Sequence, residues 1–447
     1  MLTNFRIQNR AGRGFPAILA VAAVFFSAGA ASPARPSEPI IAITGGTVLS
    51  MAGAPLESGT VLIRNGLIAA VGRNVKVPKG ATVVDARGKF VMPGIVDAMT
   101  FFGTRPFVPN VPEPVTPENK IIDAYRPYGE PLRGPGGVQA EPELLCGGVT
   151  TIYIAPGSAQ LVGGQGAVVK TAGADFDSVV LREPASVDMA IAYTPLGASS
   201  VPPSRSSSLV SLRKTLTAAR DYRKSREDFA KKPPKERRKA VPPSRDPGKD
   251  ALALLIGGGI PARIEADLPE DILNAVGIAE EFDLALVIDG GLGARKVRDL
   301  LASRKVPVVL GPVSHPLDSV RRDDLAEARI LEDARLAAWL TEAGVKVAIS
   351  SRSADNRGSG KPTQGRWLLL EAALAAGSGL SEENALKAIT INAAEILGVA
   401  ARVGSLAPGK DADVIVLSGP PLRAESLVER VFIDGRLAFS RESGSGN

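Results

Sequence analysis

The 447-residue chain holds one cysteine and one histidine. A single thiol, Cys146, excludes an intrachain disulfide and any zinc site of paired cysteines. It reads as a small buried side chain. A single imidazole, His315, excludes a site built on several histidines. Aromatic residues make up 4% of the chain, too few for the stacking platforms that single-stranded nucleic acid requires. Charge of one sign is scarce as well: 53 basic residues face 47 acidic ones, and Arg6, Arg10 and Arg13 lie in an opening stretch of 30 residues that has no acid. Without those three the balance is 50 against 47, so net charge gives no case for nucleic acid as a partner. Beyond the opening stretch, no apolar run reaches the roughly 18 residues of a membrane-spanning helix.

What is present is a globular composition, 45% hydrophobic and 22% charged, at a length that suits two or three domains. The chain opens with a basic segment, then the short apolar run "AILAVAAVFFSAGA", with Ala28-Gly29-Ala30 as a small-x-small cleavage site. Residues 1–30 therefore read as a secretory signal peptide. The expected location is periplasmic or secreted, with no membrane partner once the segment is removed.

Residues 31–39 form a tether, and β-branched runs follow: "IIAITGGTVLS", "GTVLIRNGLIAAVG" and "ATVVDARGKFVM". Asn65-Gly66 inside such a run predicts a hairpin, because a type I′ turn needs positive φ at both central positions. Matching runs return near the other end, "DADVIVLSG" and "VERVFIDGRLAF", the latter turning at Asp434-Gly435. These predict a small β-sandwich built from both chain ends, with 31–92 as its N-terminal part and 403–447 as its C-terminal part. Between them the pattern alternates. "PARIEAD", "LALVIDGG", "VPVVLGP" and "VKVAISS" read as strands, and "PEDILNAVGIAEEF", "GARKVRDLLASR" and "LAEARILEDARLAAWLTEAG" as helices. Apolar strands separated by helices imply a parallel sheet covered on both faces. Residues 93–402 supply enough units to close a (β/α)8 TIM barrel, whose chemistry would sit at the C-terminal strand ends. The fold class is thus α/β, a barrel plus a composite sandwich. Within it, 203–250 is dense in Lys and Arg; it reads as a solvated helix, with Leu212, Leu216 and Ala219 as its buried stripe, followed by a Pro-rich loop, and a patch for an anionic partner is the alternative.

Five stretches carry a family likeness: "VVDARGKFVMPGIVDA", "GVTTIYIAPGSAQLVGGQGAVVK", "PEDILNAVGIAEEFDLALVIDGG", "AITINAAEILG" and "RVGSLAPGKDADVIVLSGPPL". Together they resemble the amidohydrolase superfamily, and within it the exported, imidazolonepropionase-like group. The likeness spans about residues 40 to 440. It implies metal-dependent hydrolysis of non-peptide carbon–nitrogen bonds, with zinc as the implied cofactor.

The same likeness implies a His-x-His pair at the end of strand one, a histidine on each of strands five and six, and an aspartate on strand eight. The matching residues are Met99 and Phe101, Glu265, Gly290, and Arg352, with Ser351 as its alternative. A strand-four ligand would be Lys170 or Asp188. Hydrolytic zinc needs nitrogen, sulfur or carboxylate donors with one open position, and it then lowers the pKa of bound water to about 7. Phe and Gly have no donor, Met is a weak one, and Arg cannot accept a proton. The expectation is therefore a non-catalytic chain without a metal cofactor, binding a small-molecule ligand in the old pocket, or acting as partner to an active relative or to a second copy. The pocket residues would be Asp97, Met99, Phe101, Glu265, Asp267 and Arg352. Arg352 is expected to pair with Glu265 where the metal would have been, and Asp289 to point toward the helices. The alternative is an active hydrolase with a rebuilt carboxylate site, in which Glu265 and Asp267 hold a hard cation with Asp97 or serve as acid and base. His315 reads as a loop residue, with a lone general base as the other option.

Overall fold

The computed structural model describes residues 40–104, 113–125, 140–157, 160–173, 176–191, 204–314, 333–352 and 364–441. The signal-like stretch 1–30, the tether 31–39 and His315 lie outside the described residues.

The chain first lays down β1 (Ile41–Val48), β2 (Leu56–Arg64), β3 (Leu67–Gly72), β4 (Thr82–Asp85) and β5 (Phe90–Pro93). The β2–β3 hairpin turns at Asn65-Gly66 with φ of 52° and 75°, the left-handed pair that a type I′ turn demands. Eight further strands build the barrel. They are β6 (Ile95–Thr100), β7 (Val149–Ile154), β8 (Val162–Lys170), β9 (Val180–Ala190), β10 (Ala262–Ala266), β11 (Leu286–Gly290), β12 (Val308–Leu310) and β13 (Val347–Ile349). The chain then returns to the first sheet through β14 (Val414–Leu417), β15 (Val428–Ile433) and β16 (Arg436–Ser440). β14 pairs antiparallel with β5, so both chain ends share one continuous eight-stranded sheet. Its core is an apolar cluster that includes Ile43, Val61, Ile63, Val91, Val414 and Phe432.

The barrel strands stand side by side in chain order. The tip of the eighth meets the tip of the first, where Arg352 N donates to Met99 O at 3.1 Å. One strand departs from the parallel sheet expected of the sequence: β8 is antiparallel to both β7 and β9. Residues 155–161 are too short for the crossover of a dozen or more residues that a parallel connection needs, so the chain can only turn back.

Alternation along the strands separates two apolar layers. Ile264 and Ile288 face outward to the helix Pro269–Phe282, whose Ile272, Ala275, Val276 and Ala279 share one apolar cluster with them and with Val308 and Val347. Tyr153, Val168, Val287, Val309 and Ala348 form a second cluster inside. We label the helices used below α1 (Arg205–Lys231), α2 (Pro247–Ala253), α3 (Pro269–Phe282) and α4 (Leu336–Glu342). α3 has the bounds its apolar period predicts. The helix expected over 325–344 is described only from residue 333 onward and there begins at Leu336. α1 starts at a Ser204 capping box closed by Ser207 and buries Leu212, Leu216 and Ala219, the stripe read from the sequence. Cys146 is half-buried, its thiol against Glu143 O at 3.1 Å.

Candidate functional site

Barrel chemistry belongs at the C-terminal strand ends, and the residues there form three groups. The first is apolar. Met99 belongs to the inner cluster with Val96, Ala98 and Tyr153, and Phe101 packs against it. Met99 and Phe101, expected from the likeness to match the strand-one histidines, thus extend the hydrophobic filling of the barrel.

The second group is the predicted pair. Arg352 Nη2 donates to Glu265 Oε2 at 2.9 Å, with side-chain exposures of 7% and 8%. Burial alone would lower the guanidinium's pKa, but Glu265, Asp267 and Asp289 outweigh it and the net shift is upward. Arg352 also sits at φ 45°, a left-handed conformation unusual for a long side chain and costing roughly 1–2 kcal/mol. Asp267 follows the end of β10 and accepts from Leu292 N at 3.3 Å. Burial, and then the neighbouring Glu265 charge, lift its carboxyl to about 6. Gly290, matched to the strand-six histidine, has φ 88°, and a Cβ there would stand 2.4 Å from Asp267 Oδ1. The Asp267 carboxylate therefore occupies the space that any side chain at 290 would enter.

The third group lies deeper and went unrecognised in the sequence. Arg263 is 2% exposed; it donates to Asp289 at 2.9 Å and 2.5 Å and lies 3.9 Å over the ring of Tyr153. Tyr153 Oη donates to Asp188 Oδ1 at 2.5 Å and lies 2.6 Å from Ser186 Oγ. Burial pushes Asp188 up to about 7, helped by Asp289 and opposed by Arg263. The tyrosine comes so near β8 that a Cβ at residue 166 would meet its hydroxyl at 1.9 Å, which requires Gly166. A signal for this group existed: Arg263, Glu265 and Asp267 alternate along "PARIEAD", which puts three charges on one side of a strand.

Three expectations change. Asp289 points into the barrel toward Arg263 rather than toward the helices. The expected parity was counted from Gly290, whose positive φ breaks the alternation of the strand end. Asp97 is not an open pocket acid. It accepts from Ser351 N at 3.0 Å, from Ser351 Oγ and from Met99 N, so it clips strand eight to strand one. Burial raises it to about 6 despite those bonds. Of the strand-four options, Asp188 lies on β9, the fourth barrel strand. Lys170 lies at the opposite end, paired in register with Thr151 at the start of β7, because antiparallel β8 delivers its last residue to the foot of the barrel. Among the described residues, no group of three or more His, Cys, Asp or Glu side chains is placed to hold a metal ion.

Comparisons with known proteins agree with this architecture. A sequence model of the Amidohydrolase family matches residues 300–438. The crystal structure of an amidohydrolase from Thermotoga maritima is 33% identical, superposes with a TM-score of 0.78, and aligns over 90% of this chain and 100% of that one. Imidazolonepropionase of Symbiobacterium thermophilum is 26% identical over 86% of this chain and 92% of its own length. The amidohydrolase tasK of Hapsidospora irregularis is 23% identical over 85% of this chain, which spans 40% of that relative's length. With a barrel, a sheet shared by both chain ends, and a relative matched from end to end, the chain belongs to the amidohydrolase family.

Proposed function

We propose that this chain is a non-catalytic member of its family, binding a small ligand at the barrel mouth without metal-assisted hydrolysis, alone or as partner to an active relative. The observation that carries this reading is the Arg352–Glu265 ion pair, 2.9 Å long and buried. A permanent cation stands among the strand tips, where a divalent metal would be repelled, and the one acidic residue at a matched ligand position is engaged by it. Met99 and Phe101 add apolar contacts rather than donors. The residues at these positions do not fit a hydrolytic zinc. Export through residues 1–30 is part of the same proposal and would place the protein in the periplasm or outside the cell.

One observation favours a second reading. Asp267, raised to about 6 beside Glu265, is a carboxylate pair of the kind that shares acid and base roles. An active hydrolase with a rebuilt carboxylate site would use it. Metal analysis of the purified protein, combined with a hydrolysis screen on amides and cyclic imides, separates the two. The proposal expects neither stoichiometric metal nor turnover. Turnover abolished by Glu265→Gln would replace it with the second reading.

A further inference from the structure

Helix α1 and the segment after it form a charged feature that the candidate site does not use. α1 runs beside α3 in the same direction. Arg205 meets Asp271 at 3.3 Å near the start of α3, Arg213 meets Glu281 at 2.7 Å near its end, and Arg220 lies 5.1 Å over the ring of Phe282, its last residue. α3 follows β10 and therefore runs from the barrel mouth to the opposite face. Residues 221–231 continue past the end of α3, an overhang of about 16 Å at 1.5 Å per residue. α2 braces it: Tyr222 Oη donates to Asp250 at 2.8 Å, and Arg226 lies 3.7 Å from the same carboxylate.

At the far end of this braced arm, residues 231–239 carry Lys231, Lys232, Lys235, Arg237, Arg238 and Lys239 against a single acid, Glu236. All nine residues are exposed. None of the six cations makes an ion pair with a described residue. The nearby face of the barrel foot is balanced by contrast, with Arg304 on Glu280 and Lys346 on Glu395 at 2.6 Å. Two residues past the cluster, between Ala240 and two prolines, Val241 is 90% exposed.

We infer that the arm tip is a docking surface for an anionic phospholipid bilayer. Six cations without ion pairs supply the electrostatic attraction, and the exposed valine supplies an aliphatic group that the hydrocarbon of a bilayer can receive and a polyanion cannot. A nucleic acid would instead be met by aromatic groups for base stacking. The aromatics of the arm are Phe229 and Tyr222; Tyr222 is committed to Asp250, and Lys232 lies 6.0 Å over the ring of Phe229. Docking through the foot leaves the barrel mouth facing away from the membrane, open to a ligand. The sequence alone favoured a solvated segment over an anionic-partner patch and suggested no membrane partner; its projection, bracing and lack of ion pairs support the different conclusion.

The test is flotation of the full chain with vesicles of phosphatidylcholine containing roughly one-third phosphatidylglycerol, compared with a variant in which all six cations are changed to glutamine. Both proteins carry the same N-terminal residues, so any insertion by that apolar run cancels. The variant should bind at least about tenfold more weakly at low salt, since each basic residue at such a surface contributes roughly a factor of five. Added salt should erase most of the difference. Changing the four lysines to arginine should preserve binding, and Val241→Ser should weaken it by a smaller factor at any salt. Equal flotation of parent and six-glutamine variant, with matching melting temperatures to show that both are folded, overturns the inference. Tighter binding of the parent to duplex DNA than to the anionic vesicles in the same buffer also overturns it.

Discussion

Two buried charge clusters occupy opposite ends of the barrel. At the foot, Lys170 Nζ lies 2.7 Å from Asp411, 3.0 Å from Asp413 and 2.6 Å from Asp434. At the mouth, Arg352 meets Glu265 and Arg263 meets Asp289. The foot residues come from the stretches that resemble the family, with Lys170 closing "GGQGAVVK" and Asp411 and Asp413 in "GKDADV". They tie the third barrel strand to the returning sheet across 243 residues of sequence. The mouth residues stand at or beside the positions that the sequence likeness matched to metal ligands. One cluster joins the barrel to the sheet of both chain ends, and the other fills the mouth with ion pairs.

The sharpest way to break this comparison is at the joint. Lys170→Met leaves Asp413 and Asp434 without their cation, and only Asp411 keeps another, Arg402 at 2.8 Å. The expected loss is at least 3–5 kcal/mol, roughly the value for breaking a buried pair, read by denaturant unfolding. A change under about 1 kcal/mol would mean that the foot is not a joint.

At the mouth, Arg352→Met should cost less, about 3 kcal/mol, because it strands one carboxylate and not several. Adding Glu265→Gln should recover part of that loss, giving a coupling energy of about 1–3 kcal/mol in a double-mutant cycle. Additive effects would mean that the two side chains do not act as a pair.

A smaller effect is tied to pH. Asp188 is raised from an ordinary aspartate value to about 7, so the folded protein holds that proton more tightly than the unfolded chain does. Stability from this group is therefore present at low pH and lost as pH rises from about 4 to about 7. Asp188→Asn removes that loss while keeping an acceptor for Tyr153. The stability of the variant relative to the parent should rise over this window, by at most a few kcal/mol. A difference that stays flat with pH would show that Asp188 ionises as freely as in the unfolded chain.

Much of this was legible in the sequence, and the remainder fails for identifiable reasons. Asn65-Gly66 and Asp434-Gly435 announced their turns, with φ of 49° and 70° at the second. The limits of α3 followed from its apolar period, and the Arg352–Glu265 pairing followed from the need of a buried acid for a counter-charge. The direction of β8 was hidden because it depends on loop length and not on strand pattern. Lys170 looked like a mouth residue only on the assumption of a parallel strand. Asp97 looked like a pocket acid because nothing local reveals that Ser351, 254 residues away, would bind it. Tyr153 and Arg263 were missed since a ring stacked under a guanidinium depends on the closure of the whole barrel.

The most direct measurement is the metal content of the full chain purified from zinc-supplemented medium. The account predicts far less than one equivalent of zinc or manganese per chain, unchanged when the Arg352–Glu265 pair is left intact or replaced by Met and Gln. One tightly held equivalent in the parent protein, lost on Glu265→Gln, would contradict it.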